Sequence, residues 1–193
     1  ARALFCGLCT RIGPALAGVV SSVVVVAVLV GLGFAAVGSV DRIYFERNRL
    51  ADADVAQPDS PFRSAGTDSA VAWDSLGRHG AAFVGTGPTA AKIAEVTGRR
   101  AVEPIRIYAG LESAPTIQER ATLVVDELER AGAFDRSILV IATTTGSGWL
   151  EPQTVDALEY LHGGDTAIAA MQYAYTPSWV SFVFDPDAPV EAA

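Results

Sequence analysis

Residues 137–149 read Ser137-Ile-Leu-Val-Ile-Ala-Thr-Thr-Thr-Gly-Ser-Gly-Trp149, an apolar run that ends in three threonines and a glycine-rich loop. The run Ile138–Ile141 is apolar at every position, which is typical of a strand covered on both faces in a parallel sheet. Ligands of such sheets bind at the carboxyl ends of the strands. A plain strand-to-helix turn uses the same residue types. The candidate functional residues here are Thr143, Thr144, Thr145, Gly146 and Ser147.

Strands and helices alternate around this stretch. Pro104–Ala109 reads as a strand bounded by Pro and Gly, and Thr166–Met171 reads as another. The pattern Thr116-x-x-Glu119 is a capping box that opens a helix ending at Gly132, and a further helix is predicted over 152–162. Strand, helix, strand, helix, strand predicts a parallel α/β sheet.

An uncharged segment precedes this domain. Residues 12–40 contain no charged side chain and include Val23-Val-Val-Val-Ala-Val-Leu-Val30. This length exceeds the roughly 20 residues that a helix needs to cross a bilayer, and it is too long for the apolar part of a signal peptide. We expect a transmembrane helix over 12–40. Its orientation stays open, because arginines flank it on both sides.

Composition suggests where the remaining boundaries fall. Residues 41–49 mix charges with aromatic residues, as expected at a membrane interface, and residues 50–67 show little periodicity. We therefore expect a juxtamembrane segment and linker over 41–68, a domain over 69–184, and a Pro- and acid-rich tail over 185–193 that has the look of a cut end.

Charge and cysteine content exclude several functions. The net charge is −8 and Lys92 is the only lysine, so nucleic acid is not an expected partner. Cys6 and Cys9 form a lone Cys-x-x-Cys without the further ligands of a zinc site. They are interpreted as small apolar residues beside a membrane, with redox or palmitoyl chemistry as the alternatives. No cofactor and no metal are expected.

Three short motifs are better explained by local structure. Gly85-Thr-Gly-Pro-Thr-Ala90 resembles a dinucleotide loop, but Pro88 removes an N–H and no proper strand precedes it. His162-Gly-Gly164 fits a helix C-cap. Ser147 lies in Thr145-Gly-Ser-Gly-Trp149, which fails the Gly-x-Ser-x-Gly pattern of a nucleophile elbow at both ends. The two histidines, His79 and His162, form no recognisable triad with a serine and an acid.

Longer blocks carry a family resemblance. These blocks, which together cover most of residues 60–184, are Ser60-Pro-Phe-Arg-Ser64, Trp73-Asp-Ser-Leu-Gly-Arg78, Gly87-Pro-Thr89, Pro104-Ile-Arg-Ile-Tyr-Ala-Gly-Leu111, Ala142-Thr-Thr-Thr-Gly-Ser-Gly-Trp149, Asp156-Ala-Leu-Glu-Tyr-Leu-His-Gly-Gly-Asp-Thr166, Met171-Gln-Tyr173 and Pro177-Ser-Trp179. They resemble the membrane-bound α/β-hydrolases of actinobacteria, which join a multi-helix transmembrane N-terminal region to a C-terminal hydrolase catalytic domain.

The resemblance implies a specific architecture. It predicts one transmembrane helix followed by part of a three-layer α/β-hydrolase domain, with an extracytoplasmic domain favoured. The family's nucleophile elbow, a Gly-Glu-Ser-Leu-Gly type turn, has no counterpart in the chain, so no catalytic residue is carried over. The loop 143–148 would then contribute to an oxyanion site, and Tyr173, Tyr175, Ser178 and Trp179 would line a substrate pocket, although packing under a loop accounts for them equally well.

Two functions are therefore weighed. The first is a fragment of a membrane-anchored serine hydrolase, of esterase or acyl-transfer type, that is inactive alone and needs the remainder of its own chain to complete the sheet. Its partners would be the lipid bilayer and a lipid or envelope-linked ester. The second is a non-enzymatic membrane-tethered α/β module that binds a ligand or partner through Thr143–Gly148.

Overall fold

The computed structural model describes residues 14–49, 52–184 and 186–191. Cys6, Cys9, Arg2 and Arg11, on which part of the sequence analysis rests, lie outside these ranges. The chain divides into two compact units between Ile43 and Tyr44. Each unit is described by itself below.

The N-terminal unit is formed by most of helix α1, Pro14–Arg49. Within it Gly18–Ala35 has a mean hydropathy of 2.5 and only 6% of this window is buried. Large apolar side chains such as Val19, Leu29 and Phe34 are exposed around the helix. A helix that is apolar on all sides is typical of a membrane span. Length and composition show that this helix could cross a bilayer, and a signal sequence near the N-terminus meets the same criterion.

The second unit contains a parallel sheet. Strands β1 (Ile105–Ala109), β2 (Ile138–Thr143) and β3 (Thr166–Met171) pair in the order β1-β3-β2, and both pairings are parallel. This confirms the predicted α/β class with its parallel sheet. The remaining helices are α2 Gly77–Thr86, α3 Ala90–Thr97, α4 Ile117–Arg130, α5 Pro152–Leu161, α6 Ser178–Phe184 and α7 Ala188–Glu191, with short 3-10 turns at Trp73–Ser75 and Ala133–Asp135.

Helices cover both faces of the sheet. On one face Ile105, Ile107, Ala167 and Ala169 pack against Leu128 of α4. On the other, Tyr108, Ile168 and Ala170 pack against Phe83 of α2 and Val155 of α5. Helix α4 begins as predicted, since the Thr116 side chain accepts from the Glu119 N–H and Glu119 accepts from the Thr116 N–H.

Strand β2 differs from the expectation that both its faces are covered. Leu139 is 37% exposed and Ile141 is 71% exposed, so burial alternates along the strand. These two residues lie on the same face as Ala167 and Ala169, their register partners on β3. Helix α4 packs over β1 and β3, and β2 lies at the sheet edge beyond it. The apolar run therefore correctly predicted a strand, but the expectation that both faces of this strand are covered was wrong.

Residues 62–64, within the segment expected to be a linker, lie against the outer edge of β1. The Arg106 N–H donates to the Phe62 carbonyl and the Ser64 N–H donates to the Arg106 carbonyl, both at 3.0 Å. The Ser64 hydroxyl accepts from the Tyr108 N–H. Ser64 is fully buried. This segment is thus packed into the second unit, because its backbone satisfies the groups that an edge strand leaves unpaired.

A buried guanidinium joins three elements of the second unit. Arg106, in the middle of β1, is 2% exposed and contacts fully buried Glu159 of α5 through Nε at 2.8 Å and Nη2 at 2.7 Å. It also donates to Asp156 at 2.6 Å and to the Phe83 carbonyl at 2.8 Å. These hydrogen bonds, above all those to Glu159, outweigh the opposing effect of burial and raise the pKa of Arg106. The network fixes α2 and α5 to the sheet.

Arg106→Met should destabilise the protein by about 3–5 kcal/mol, because it leaves the Glu159 carboxylate buried without its partner. The double variant Arg106→Met/Glu159→Met should recover most of that loss, since neither charge remains buried. Asp156→Asn, at a side chain that is 39% exposed, is the matched control with a smaller cost. Urea unfolding of the detergent-solubilised chain measures all three. A double variant as unstable as Arg106→Met would contradict this account.

A second carboxylate ties a loop to α4. Glu127 is 1% exposed and accepts from Arg130, from the Ser69 hydroxyl at 2.7 Å and from the Ala70 N–H at 2.9 Å. Burial acts to raise the pKa of Glu127, but the hydrogen bonds from Arg130, Ala70 and Ser69 outweigh it and hold the pKa below its usual value. The charged form therefore stabilises the folded state.

This contribution should depend on pH. Because the folded pKa is lowered, the stabilisation is present above the unfolded value of about 4.3 and is lost as the pH falls through the folded value. Glu127→Gln should cost about 1–3 kcal/mol at pH 7, and less in acid. Urea unfolding at both pH values measures the difference. Glu129→Gln, at an exposed position of the same helix, is the control, and a Glu127→Gln cost that stays constant with pH would refute the assignment.

Candidate functional site

The three strands end at one edge of the sheet. Their last residues are Ala109, Thr143 and Met171, and parallel pairing brings these carboxyl ends together. Thr144, which follows β2 directly, is buried and its hydroxyl donates to the Met171 carbonyl at 2.9 Å. The predicted threonine loop therefore lies where ligands of parallel sheets bind.

The loop 144–149 is closed by its own hydrogen bonds. The Thr145 N–H donates to the Trp149 carbonyl at 3.0 Å, and the Gly148 N–H donates to the Thr145 carbonyl at 2.8 Å. The Thr145 hydroxyl accepts from the Trp149 N–H at 3.1 Å. From below, the buried Tyr108 hydroxyl donates to the Gly148 carbonyl at 2.9 Å. Burial raises the pKa of Tyr108 well above its usual range, so this phenol stays a neutral donor.

These bonds limit what the loop offers an anion. The N–H groups of Thr145, Gly146, Gly148 and Trp149 all donate to protein acceptors. Between Thr145 and Trp149, only the Ser147 N–H lacks an acceptor within the described part of the chain. The Ser147 hydroxyl lies 3.5 Å from the Thr145 hydroxyl. The loop by itself thus offers one backbone donor, whereas an oxyanion site generally uses more than one.

A second loop, 172–178, packs against the first. The Ser178 hydroxyl accepts from the Gly146 N–H at 3.0 Å, and the Ala174 N–H donates to the Gly146 carbonyl at 2.9 Å. The Tyr173 hydroxyl donates to the same Ser178 oxygen at 3.3 Å. The structure therefore brings the predicted residue Ser178 into contact with the threonine loop, and Tyr173 contacts Ser178. Trp179, the fourth residue of the predicted pocket, is 71% exposed.

The carboxyl end of α1 also reaches this edge. Asn48 is 8% exposed, and its Oδ1 accepts from Nε2 of the buried Gln172 at 3.1 Å. The Phe45 ring meets the Tyr175 ring edge-on, with 5.1 Å between centroids. Composition predicted that residues 41–49 lie at a membrane interface, and this stays a prediction. The structure adds that Phe45 and Asn48 contact the loop after β3. Sequence analysis missed this contact, and the one available signal was an Asn within an apolar and charged helix end.

A cavity of about 200 Å³ opens between these elements. Of the predicted site residues, Ser147 and Tyr175 line this cavity. Tyr173, Ser178 and Trp179 do not. His79, for which sequence analysis found no triad partners, lines this cavity and a second one of about 370 Å³ beside it. The residues lining the smaller cavity are Tyr44, Arg47, Asn48, Arg78, His79, Ser147, Tyr175 and Pro177.

Of the titratable side chains that line these cavities, His79 is of the type that most often acts as a general acid or base in enzymes. Burial and the neighbouring Arg78 lower its pKa, and Asp52 offsets part of this shift. The imidazole is therefore neutral at pH 7. No hydrogen bond joins either histidine side chain to a serine among the described residues. Nor do any three His, Cys, Asp or Glu side chains in those ranges cluster as a metal site would require. The arrangement provides a cavity and a donor but no activated nucleophile.

Gly148→Ala should destabilise the loop more than Gly98→Ala does. Both glycines have positive φ, of +89° and +66°, so each substitution carries the cost of about 1–2 kcal/mol for a left-handed residue. A Cβ at Gly98 meets open space, whereas one at Gly148 collides with the Tyr108 hydroxyl. Gly148→Ala therefore also breaks the buried hydrogen bond. Urea unfolding measures the loss of stability in each variant. Equal losses would show that the loop does not depend on the close approach of Gly148 to the Tyr108 hydroxyl.

Two family models match the chain. The model of an alpha/beta-hydrolase family matches residues 105–193, and the model of the alpha/beta-hydrolase family N-terminus matches residues 2–88. Neither the curated proteins nor the solved structures include a match. The matches support an α/β-hydrolase family domain, and the three-stranded parallel sheet agrees with that class.

Proposed function

We propose that this α/β-hydrolase family domain is the scaffold of a membrane-anchored serine hydrolase of esterase or acyl-transfer type. The observation that carries the proposal is the free edge of β2, directly below the candidate loop. β2 pairs with β3 on one side and with no other strand in the described part of the chain. A nucleophile strand placed there would end beside the loop 144–149.

Both faces of β2 have room for such a strand and its helices. On the α4 side, Leu139 and Ile141 are uncovered. On the α5 side, Val140, Ala142 and Leu158 line an open apolar groove of about 580 Å³. Uncovered apolar side chains on both faces are unusual for a true sheet edge, which is normally shielded or charged. A further β-strand with a helix on each side would bury them.

In the proposed reaction, the serine oxygen bonds to the acyl carbon of an ester while its proton passes to a general base on the same missing part of the site, and the π electron pair of the carbonyl moves onto its oxygen, which becomes negatively charged. The ester C–O bond then breaks, and the alcohol leaves with that proton. The Ser147 N–H is the donor that this chain offers to that oxygen, since its neighbours in the loop are already engaged. A second donor would come from the nucleophile turn itself, as in α/β-hydrolases generally. The cavity lined by Ser147 and Tyr175 would accommodate part of the substrate.

The apolar helix supports the choice of substrate class. A helix with the length and hydropathy of Gly18–Ala35 would hold the domain at a membrane. The proposed substrate is therefore an ester carried by a lipid or by the cell envelope. The proposal also includes two features of the proteins that the sequence resembles. These are a membrane region with several helices and an actinobacterial origin.

The first test is covalent labelling with a fluorophosphonate. The 193 residues contain no Gly-x-Ser-x-Gly turn, so we expect no specific serine labelling of this chain by itself. If residues encoded beyond Ala193 in the same reading frame include such a turn, the longer product should be labelled there. Specific labelling of any serine within residues 1–193 would overturn the assignment.

Ser147 variants of that longer product test the oxyanion role. Ser147→Pro removes the N–H and should lower kcat for ester hydrolysis by about 10²–10³-fold. Ser147→Ala keeps the N–H, removes only the hydroxyl and should change kcat little. Urea unfolding of both variants separates a lost donor from a misfolded loop. Equal activity of the two folded variants would exclude the Ser147 N–H as an oxyanion donor.

The second candidate is a non-enzymatic module that binds a ligand through Thr143–Gly148. The observation in its favour is the cavity of about 200 Å³ that Ser147 of this loop lines together with His79 and Tyr175. Reading the frame past Ala193 discriminates the two candidates. A Gly-x-Ser-x-Gly turn after an apolar strand supports the hydrolase, and an immediate stop codon supports the module.

A further inference from the structure

Helix α6 exposes its large apolar side chains. Trp179 is 71%, Phe182 71% and Val183 68% exposed, and their spacing of three and four places them on one helical face. The opposite face is buried, with Val180 at 4% and Ser181 at 3% exposure. A helix on a water-facing surface normally turns its polar side outward. Exposed apolar faces of this kind mark protein or membrane contacts.

The outward orientation is fixed by contacts of the inner face. The Ser178 hydroxyl accepts from the Gly146 N–H of the threonine loop at 3.0 Å. The Ser181 hydroxyl is hydrogen-bonded to the Thr176 hydroxyl at 2.7 Å. Turning Trp179 and Phe182 inward would break both contacts. The hydrogen bonds of the inner face therefore keep the apolar face of α6 turned outward.

The chain itself indicates what covers this face. The loop that leads into α6 contacts the carboxyl end of α1, through the Phe45–Tyr175 ring pair and the Asn48–Gln172 hydrogen bond. The stretch from Ala35, the end of the candidate membrane span, to Tyr44 reaches at most about 30 Å when fully extended. If a bilayer holds the span, Tyr44 therefore lies within about 30 Å of the end of the span at Ala35.

We propose that Trp179, Phe182 and Val183 insert into the interface of the bilayer that α1 spans, as a second, peripheral membrane contact. The proposal rests on the membrane anchoring proposed above. Tryptophan and phenylalanine are the side chains that interfacial helices bury at the boundary of headgroups and acyl chains. Since Ser178 touches Gly146, this contact would hold the candidate site at the membrane surface. A lipid-borne ester could then reach the cavity without crossing bulk water.

The charges near α6 make apolar insertion the main driving force. Arg47 and Arg49 are exposed at the end of α1, while Asp187 and Glu191 are exposed next to α6. An anionic membrane surface would attract these arginines and repel these carboxylates, so the two effects offset each other. Binding should therefore persist on zwitterionic phosphatidylcholine vesicles, which provide the cleanest test.

The experiment measures tryptophan quenching by lipid in the full chain. The chain is reconstituted into phosphatidylcholine vesicles with and without bromine on the acyl chains, and flotation of the vesicles confirms anchoring. Trp179→Phe should reduce the brominated-lipid quenching by about twofold or more, because Trp179 alone of the three tryptophans lies on the proposed contact. Trp149→Phe, at a side chain that is 42% exposed in the loop, is the matched control and should leave the quenching nearly unchanged.

Each other outcome contradicts a defined step. A chain that does not float with the vesicles overturns the anchoring and this contact together. A chain that floats, with equal quenching loss in the two variants, overturns only the α6 contact. If Trp179 fluorescence in the floating chain is shielded from both brominated lipid and aqueous acrylamide, protein covers the face, and the lipid proposal is wrong. Near-UV circular dichroism confirms that both variants remain folded.

Discussion

A guanidinium buried in the middle of a strand constrains much of the second unit. Arg106 needs acceptors for its donors once it is removed from water, and it finds them in the Phe83 carbonyl of α2 and in Asp156 and Glu159 of α5. These partners fix the distance of two helices from β1. The same network explains Gly87, where a Cβ would collide with the guanidinium. One charge in an apolar strand therefore determines the local packing of one sheet face.

Apolar periodicity and end signals predicted the sheet and its main helices. The capping box at Thr116, the glycines after helices and the apolar strands act locally, so a single sequence displays them. The strand order and the cover of β2 depend on contacts between distant residues. The role of residues 62–64 was hidden for the same reason, because Phe62 and Ser64 look like linker residues until their hydrogen bonds to β1 are known.

The site shows the same division. The position of Thr143–Gly148 at the carboxyl edge followed from parallel topology. Its hydrogen bond to Ser178, and that of Ser178 to Tyr173, involve residues that were predicted nearby, whereas the participation of His79 and Asn48 was not predicted. Both of these residues lie far from the loop in sequence and outside any recognisable motif. Hydrogen bonding also refined the chemistry, because it identified the Ser147 N–H as the one uncommitted donor between Thr145 and Trp149 within the described chain.

The hydrogen bond between Asn48 and Gln172 has a practical consequence for domain boundaries. Gln172 is fully buried, and its amide also donates to the Ala174 carbonyl. A shortened protein that begins at the change in composition after Arg49 would lose the Asn48 acceptor and the Phe45 ring, and would expose Tyr175 and the loop before α6. A shortened version of this domain therefore has to begin within the last turns of α1, because the helix already belongs to the second unit from Tyr44 onward.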